Sequence, residues 1–250
     1  MDQPIFILGA LREEISLIRK LMIVKEQLKA GHADAWVGSW EGVSIVLVRT
    51  GMGKDCALSA LKEVLSRTVP ALVLSIGYAG GLDLRLKVGD IVVADKVLEI
   101  DQAATFSKSY LVNPQQPDLF ERLTSQKKIM IYKGTLLTVN QVISDSSAKQ
   151  ELGSSHKALA VDMETSSLIG HCIEKQIPFV SVRAISDTME QSLINTSSFA
   201  DGEGRVSKIK AGWYAATHPH AIKNLISLRS QSQKATANLT EILGVFLRTL

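Results

Sequence analysis

The stretch Ile5-Phe6-Ile7-Leu8-Gly9-Ala10-Leu11-Arg12-Glu13-Glu14 passes from four consecutive apolar residues, through a glycine, into a charged segment with helical spacing. Four apolar residues in a row suit a strand buried on both faces, because a strand with one wet face would alternate. Beyond Ala10, the apolar residues Leu11, Ile15, Leu17 and Ile18 keep near-helical spacing with charges between them. Gly9 stands at the junction, where a residue without Cβ permits a tight turn and close approach of backbone to a ligand. The same grammar recurs. Runs dominated by apolar residues occupy 43–48, 71–74, 91–94, 158–161 and 179–182, and Leu168/Cys172 and Ile169/Ile173 repeat the i, i+4 step after Glu164. Strand followed by helix, several times over, predicts an α/β fold: a three-layer sandwich around a parallel or mixed sheet.

Glycines mark further junctions. Gly51-Met52-Gly53 and Gly77-Tyr78-Ala79-Gly80-Gly81 follow apolar runs as Gly9 does. Three such loops at the carboxyl ends of strands can line one crevice, the usual ligand site of open α/β sheets. No internal repeat, low-complexity linker or charge shift divides the chain, so residues 1–250 read as one domain with a helical extension over about 219–250. In that tail Leu239, Leu243, Phe246 and Leu250 form a stripe suited to packing on the core or on a second subunit. The segments 102–117 and 191–217 read as irregular, and long loops in a compact domain often cover or bind ligands.

Composition narrows the function classes. Of 250 residues, 46% are hydrophobic and 21% charged, with 28 Lys+Arg against 25 Asp+Glu, a net +3. This is the balance of a soluble globular protein large enough to bury a core without disulfide staples. No dense basic run offers the clustered cations that nucleic acid requires. Cys56 and Cys172 lie far apart in apolar surroundings and read as reduced thiols in a cytoplasmic protein. The N-terminus lacks a basic n-region, and no apolar run reaches the ~18 residues of a spanning helix.

Phosphate-loop, serine-elbow and zinc-protease signatures are absent, as is GxGxxG. His32, His156, His171 and His218-Pro-His220 have no metal-ligand spacing, so no metal or organic cofactor is expected. Carboxylates carry more information: Glu13/Glu14, Asp162/Glu164 and Asp187 each follow an apolar run. At a strand end opening on a crevice, a carboxyl group meets substrate while partly desolvated, which can hold it protonated near neutral pH. Each taken alone also suits a helix N-terminus, where it complements the macrodipole.

These motifs together resemble the purine nucleoside phosphorylase and nucleosidase superfamily. The resemblance rests, in order, on residues 7–14, Thr50-Gly51-Met52-Gly53-Lys54, Gly77-Tyr78-Ala79-Gly80-Gly81-Leu82 with residues 86–93, Val161-Asp162-Met163-Glu164, and Val182-Arg183-Ala184-Ile185-Ser186-Asp187. The methylthioadenosine/S-adenosylhomocysteine nucleosidases show the most similar pattern. The resemblance implies a mixed sheet between helical layers, a homodimer or higher homo-oligomer, and cleavage of the N-glycosidic bond of a purine nucleoside, with adenine the expected base. It further implies Asp187 as the general acid toward N7 of the base and Glu14 as the group that orients an attacking water. Glu164 would bind the ribose hydroxyls, Met163 pack on the sugar, and Ser186, Val142, Gly77, Tyr78 and Ala79 complete the nucleoside site.

Several positions depart from the nucleosidase pattern. Tyr78 replaces a Ser or Thr beside the site, Val142 an aromatic, Asn140 an Asp, and Asp162 a Glu. The 63 residues after Asp187 exceed one closing helix, with Asp201-Gly202-Glu203-Gly204-Arg205 in an added loop. These features resemble the hopanoid-associated phosphorylases, which would use phosphate as nucleophile and a substrate with a bulky 5′ group. The phosphate-binding Arg-x-Gly-Ser of many phosphorylases reads Ser75-Ile76-Gly77-Tyr78 here, leaving Arg12, Arg49 or Lys54 as substitutes. Glu14 would repel a phosphate, so water is the expected nucleophile, with phosphorolysis and non-catalytic nucleoside binding as the alternatives.

Overall fold

The computed structural model describes residues 3–101, 106–113, 115–123, 129–192 and 219–250. In chain order its elements are β1 (Ile5–Gly9), α1 (Arg12–Leu21), β2 (Ile23–Ala30), β3 (Ala33–Trp40), β4 (Val43–Arg49), α2 (Lys54–Leu65), β5 (Leu72–Gly81), β6 (Ile91–Ile100), β7 (Phe106–Leu111), α3 (Gln115–Leu123), β8 (Ile131–Thr138), α4 (Ser146–His156), β9 (Ala158–Asp162), α5 (Thr165–Glu174), β10 (Phe179–Asp187) and α6 (Pro219–Leu247). All six apolar runs seed strands. Those of β1, β4, β5, β6, β9 and β10 are buried along most of their length, as continuous apolar character requires.

The sheet is mixed, in the order β10-β6-β8-β9-β5-β1-β4-β3-β2, with β7 on β6. β5 organises it. Its first half pairs in parallel with β1, its last residues Gly80 and Gly81 pair with β9, and β10 runs beside it from Val73 to Gly80. The strands β5, β9, β8, β6 and β10 thereby close into a ring, from which β1, β4, β3 and β2 extend. Helices cover this mixed sheet to give the three-layer α/β/α sandwich: α6 packs on α1, α3, β5 and β10, while α2 packs on α5. The rings of Phe120 and Phe246 stack with centroids 4.3 Å apart, pinning α3 to α6.

Three local expectations change. The glycines 77–81 are not a loop after a strand but the second half of β5; without side chains, the strand can bend between two partners and admit neighbouring groups. The segment 102–117 is not irregular where described, since it contains β7 and the start of α3. β7 is mostly exposed, and its polar residues gave no apolar signal. In the tail, Leu239, Leu243 and Phe246 are fully buried on α6 as expected, but Leu250 lies beyond the helix end and is 61% exposed. Residues 193–218, including the 201–205 stretch, lie outside the described residues. Both cysteines are free; Cys172 is buried, which pushes its thiol up to about 12, and Cys56 is half-buried.

Candidate active site

Glu14 enters the interior from the first turn of α1 while its neighbour Glu13 stays exposed. Its Oε2 accepts the Leu11 N–H at 2.8 Å and its Oε1 the Tyr78 N–H at 2.9 Å. The close approach depends on glycine: a Cβ at Gly77 would sit 2.7 Å from Glu14 Oε1. Burial pushes the Glu14 carboxyl above its ordinary range, opposed by the N–H groups of Leu11 and Tyr78 and by the Arg183 charge.

Glu164 sits at the N-terminus of α5, where the Gly53 N–H donates to its Oε1 at 2.8 Å. Gly53 has φ +87°, a conformation that favours glycine, as it turns the chain from β4 into α2. Desolvation, then the charges of Asp162 and Glu14, push Glu164 up to about 8, against the Gly53 N–H and Arg183. Arg183 is the buried cation of this region. Its guanidinium donates to Asp162 Oδ2 from two nitrogens, at 3.0 and 2.8 Å, and to Ser75 and Thr165 hydroxyls at 2.8 Å each. Asp162 further accepts from Thr138 at 2.8 Å. The Asp at this position thus anchors a polar network of the kind that makes a buried pair tolerable.

Asp187 ends β10 and is 5% exposed. Ser186 Oγ donates to its Oδ1 at 2.7 Å, and Lys149 Nζ to its Oδ2 at 2.5 Å. Lys149, on α4, is fully buried and also donates to the carbonyls of Thr188 and Gln191, at 3.1 and 2.9 Å. Sequence reasoning missed this lysine. Its helix, SSAKQELGSSH, has almost no apolar periodicity, and a lysine among polar residues reads as solvated. Only its burial and partners distinguish it.

One cavity of about 210 Å³ gathers the carboxyl groups. Glu14, Asp162, Glu164 and Asp187 line it together with Met163, Ser186, Ala79, Tyr78 and Val142. The residues expected at the site therefore meet in one place, except that Gly77 backs Glu14 rather than lining the space. Glycine-rich turns after β1 and β4 contribute Ala10 and Met52 to the same wall. The Tyr78 hydroxyl lies 2.5 Å from Thr236 Oγ1 on α6, so the phenol ties the site to the C-terminal helix. Burial pushes that phenol up to about 12 and keeps it neutral. Val142 is 51% exposed at the rim, in the loop after β8.

The substitutes considered for a phosphate-binding arginine are engaged elsewhere or point outward. Arg49 pairs with Asp34, Lys54 with Glu99, and Arg12 is exposed on α1. Among the described residues, no lysine or arginine lines the cavity, and no three His, Cys, Asp or Glu side chains cluster as a metal site. No described helix is long and apolar enough to cross a membrane.

Comparison with known proteins agrees with this architecture. A 5′-methylthioadenosine/S-adenosylhomocysteine nucleosidase of Bacillus velezensis is 29% identical over 194 residues, 72% of this chain and 84% of the relative. Among solved structures, that nucleosidase from Neisseria meningitidis, in complex with methylthio-immucillin-A, superposes with a TM-score of 0.77 at 21% identity, covering 99% of this chain and 100% of the other. The futalosine hydrolase of Helicobacter pylori superposes equally well, with a TM-score of 0.77 at 22% identity over 99% and 98% of the two chains. The fold is therefore shared by enzymes named for different substrates. The model of one family, described as the phosphorylase superfamily, matches residues 4–211, and it is to this superfamily that the chain belongs.

Proposed function

We propose that this protein hydrolyses the N-glycosidic bond of an adenine nucleoside carrying a 5′ substituent. The observation that carries the reading is the chemistry of the cavity: four carboxylates line it, with no lysine or arginine among the described lining residues. Such a site offers acceptors to the sugar and a neutral water, and gives an anionic nucleophile no countercharge among the described lining residues. The names of the sequence relatives, which specify methylthioadenosine and adenosylhomocysteine, support adenine as the base and a thioether as the 5′ group.

The purine leaves poorly as an anion, so the reaction has two tasks: protonating the base and stabilising an oxocarbenium-like ribose. Asp187, beside Ser186, protonates N7. Glu164 binds the ribose hydroxyls, with Met163 against the sugar. Glu14, its two oxygens each fixed by one N–H, orients the water toward C1′ through its remaining lone pairs. Ser186 and Val142 hold the adenine, and Ala79 and Tyr78 shape the wall of the cavity. No metal or organic cofactor enters this scheme.

In the same reading residues 1–250 form one domain, and the protein works in the cytoplasm as a homodimer or higher homo-oligomer, whose mass light scattering would test. The activity is tested by following adenine release from 5′-methylthioadenosine, S-adenosylhomocysteine, adenosine and a long-chain 5′-alkyl analogue, each with and without phosphate. Phosphate-independent release from a 5′-substituted member is expected. A strict phosphate requirement would replace hydrolysis with phosphorolysis, and binding without turnover would leave a nucleoside-binding protein.

A further inference from the structure

We propose that Lys149 is a positioning residue for Asp187, occupying Oδ2 so that the carboxyl group delivers its proton to the base from Oδ1. The inference rests on the hydrolase reading above and adds a component to its acid. An ammonium has three N–H donors and no acceptor. At Lys149 three acceptors meet them: Asp187 Oδ2 and the carbonyls of Thr188 and Gln191. A neutral amine would leave a lone pair facing one of these oxygens, so the site is built for the cation. The side chain has no exposure to solvent, and a buried cation persists only with such compensation.

The two Asp187 oxygens are consequently unequal. Oδ2 is closed in by Lys149 and by Gly80, where an added Cβ would lie 3.2 Å away. Among the described residues, Oδ1 meets only the rotatable hydroxyl of Ser186, a group that itself lines the cavity. In the reacting complex the Oδ1–H bond breaks as N7–H forms, and the electron pair of C1′–N9 passes into the purine. The carboxylate left behind faces the Lys149 ammonium, which keeps all its protons throughout. Lys149 thus orients the acid and stabilises the charge that appears on it. Among the other elements around Asp187, β5 presents Gly80 and Gly81 and β9 presents Val161, all uncharged; the other carboxyl groups lining the cavity, among the described residues, are those of Glu14, Asp162 and Glu164.

The test compares K149M, K149Q and K149R with wild type and D187N, measuring kcat, KM and the pH dependence of adenine release, with circular dichroism to confirm folding. Misaligning the acid is expected to lower kcat about 100-fold in K149M and K149Q while KM changes little. Removing a cation beside a carboxyl lets it keep its proton longer, so the pH above which activity falls should rise by about 1–3 units in both variants. K149R should keep the wild-type pH limb and recover part of the rate. A lysine that only supports the fold would lower activity without moving that limb, and an unmoved limb in K149M or K149Q overturns the proposal. If K149M does not fold, K149Q against K149R makes the same decision. Wild-type protein that releases no adenine sinks the hydrolase reading and this inference together; active wild type, inactive D187N and unaltered K149M sink the inference alone.

Discussion

Two sets of carboxylates line the same cavity and are held in different ways. Glu14 and Glu164 are fixed by main-chain N–H groups, from Leu11, Tyr78 and Gly53, and the Glu14 charge pushes the Glu164 carboxyl up. Asp187 instead meets a hydroxyl and a buried ammonium. Main-chain donors fix an acceptor in place but supply no countercharge, so burial dominates and both glutamates are shifted upward. The carboxylate that Asp187 becomes as the base departs lies beside the Lys149 ammonium. Similar side chains thereby take separate tasks through their neighbours, sugar and water on one side and leaving group on the other.

The largest expected effect comes from breaking the second arrangement. Asp187→Asn keeps an acceptor for Lys149 but has no acidic proton and no countercharge, so steady-state adenine release should fall about 10²–10⁴-fold and the melting temperature should also drop. Arg183→Met removes the cation that compensates Asp162 and, at longer range, the two glutamates. Stranding a buried carboxylate costs about 3–5 kcal/mol, to be read from the urea midpoint. Glu14→Gln tests the first arrangement: an amide can accept only one of the two N–H groups and must turn its own NH₂ toward the other. A loss of about 100-fold in turnover is expected, with phosphate unable to restore it.

The smallest effect sharpens the comparison through pH. Because the Glu164 carboxyl is raised to about 8 in the folded protein from an ordinary 4.5, the native state holds a proton that the unfolded chain has lost between those values. Stability therefore declines as pH rises through that window. Glu164→Gln removes this contribution, so the fall in melting temperature between about pH 5 and about pH 8.5 should be shallower in the variant than in wild type. An equal fall in both would remove Glu164 as its source.

What the sequence disclosed follows from what each signal reports. Strands buried on both faces, such as 5–8 and 91–94, are announced by continuous apolar residues and were legible. Exposed β2 and β7 were not, since β2 reads Ile-Val-Lys-Glu-Gln-Leu-Lys-Ala with only its last residue buried and β7 has no buried residue. Nor was the closure of five strands into a ring, which depends on β5 serving three partners at once. At the site, Glu14, Glu164 and Asp187 stood out because they follow apolar runs at strand ends. Lys149 and Arg183 did not: their partners lie 38 and 21 residues away, and a cation's burial is written nowhere in its immediate neighbours.

Water as the attacking group can be read from isotope transfer. The protein is incubated with a 5′-substituted adenine nucleoside in ¹⁸O-labelled water containing phosphate, and the sugar product is weighed by mass spectrometry. A free sugar bearing ¹⁸O at C1′ is expected. A sugar 1-phosphate without label would contradict it and make the carboxylate-lined cavity a phosphorylase site.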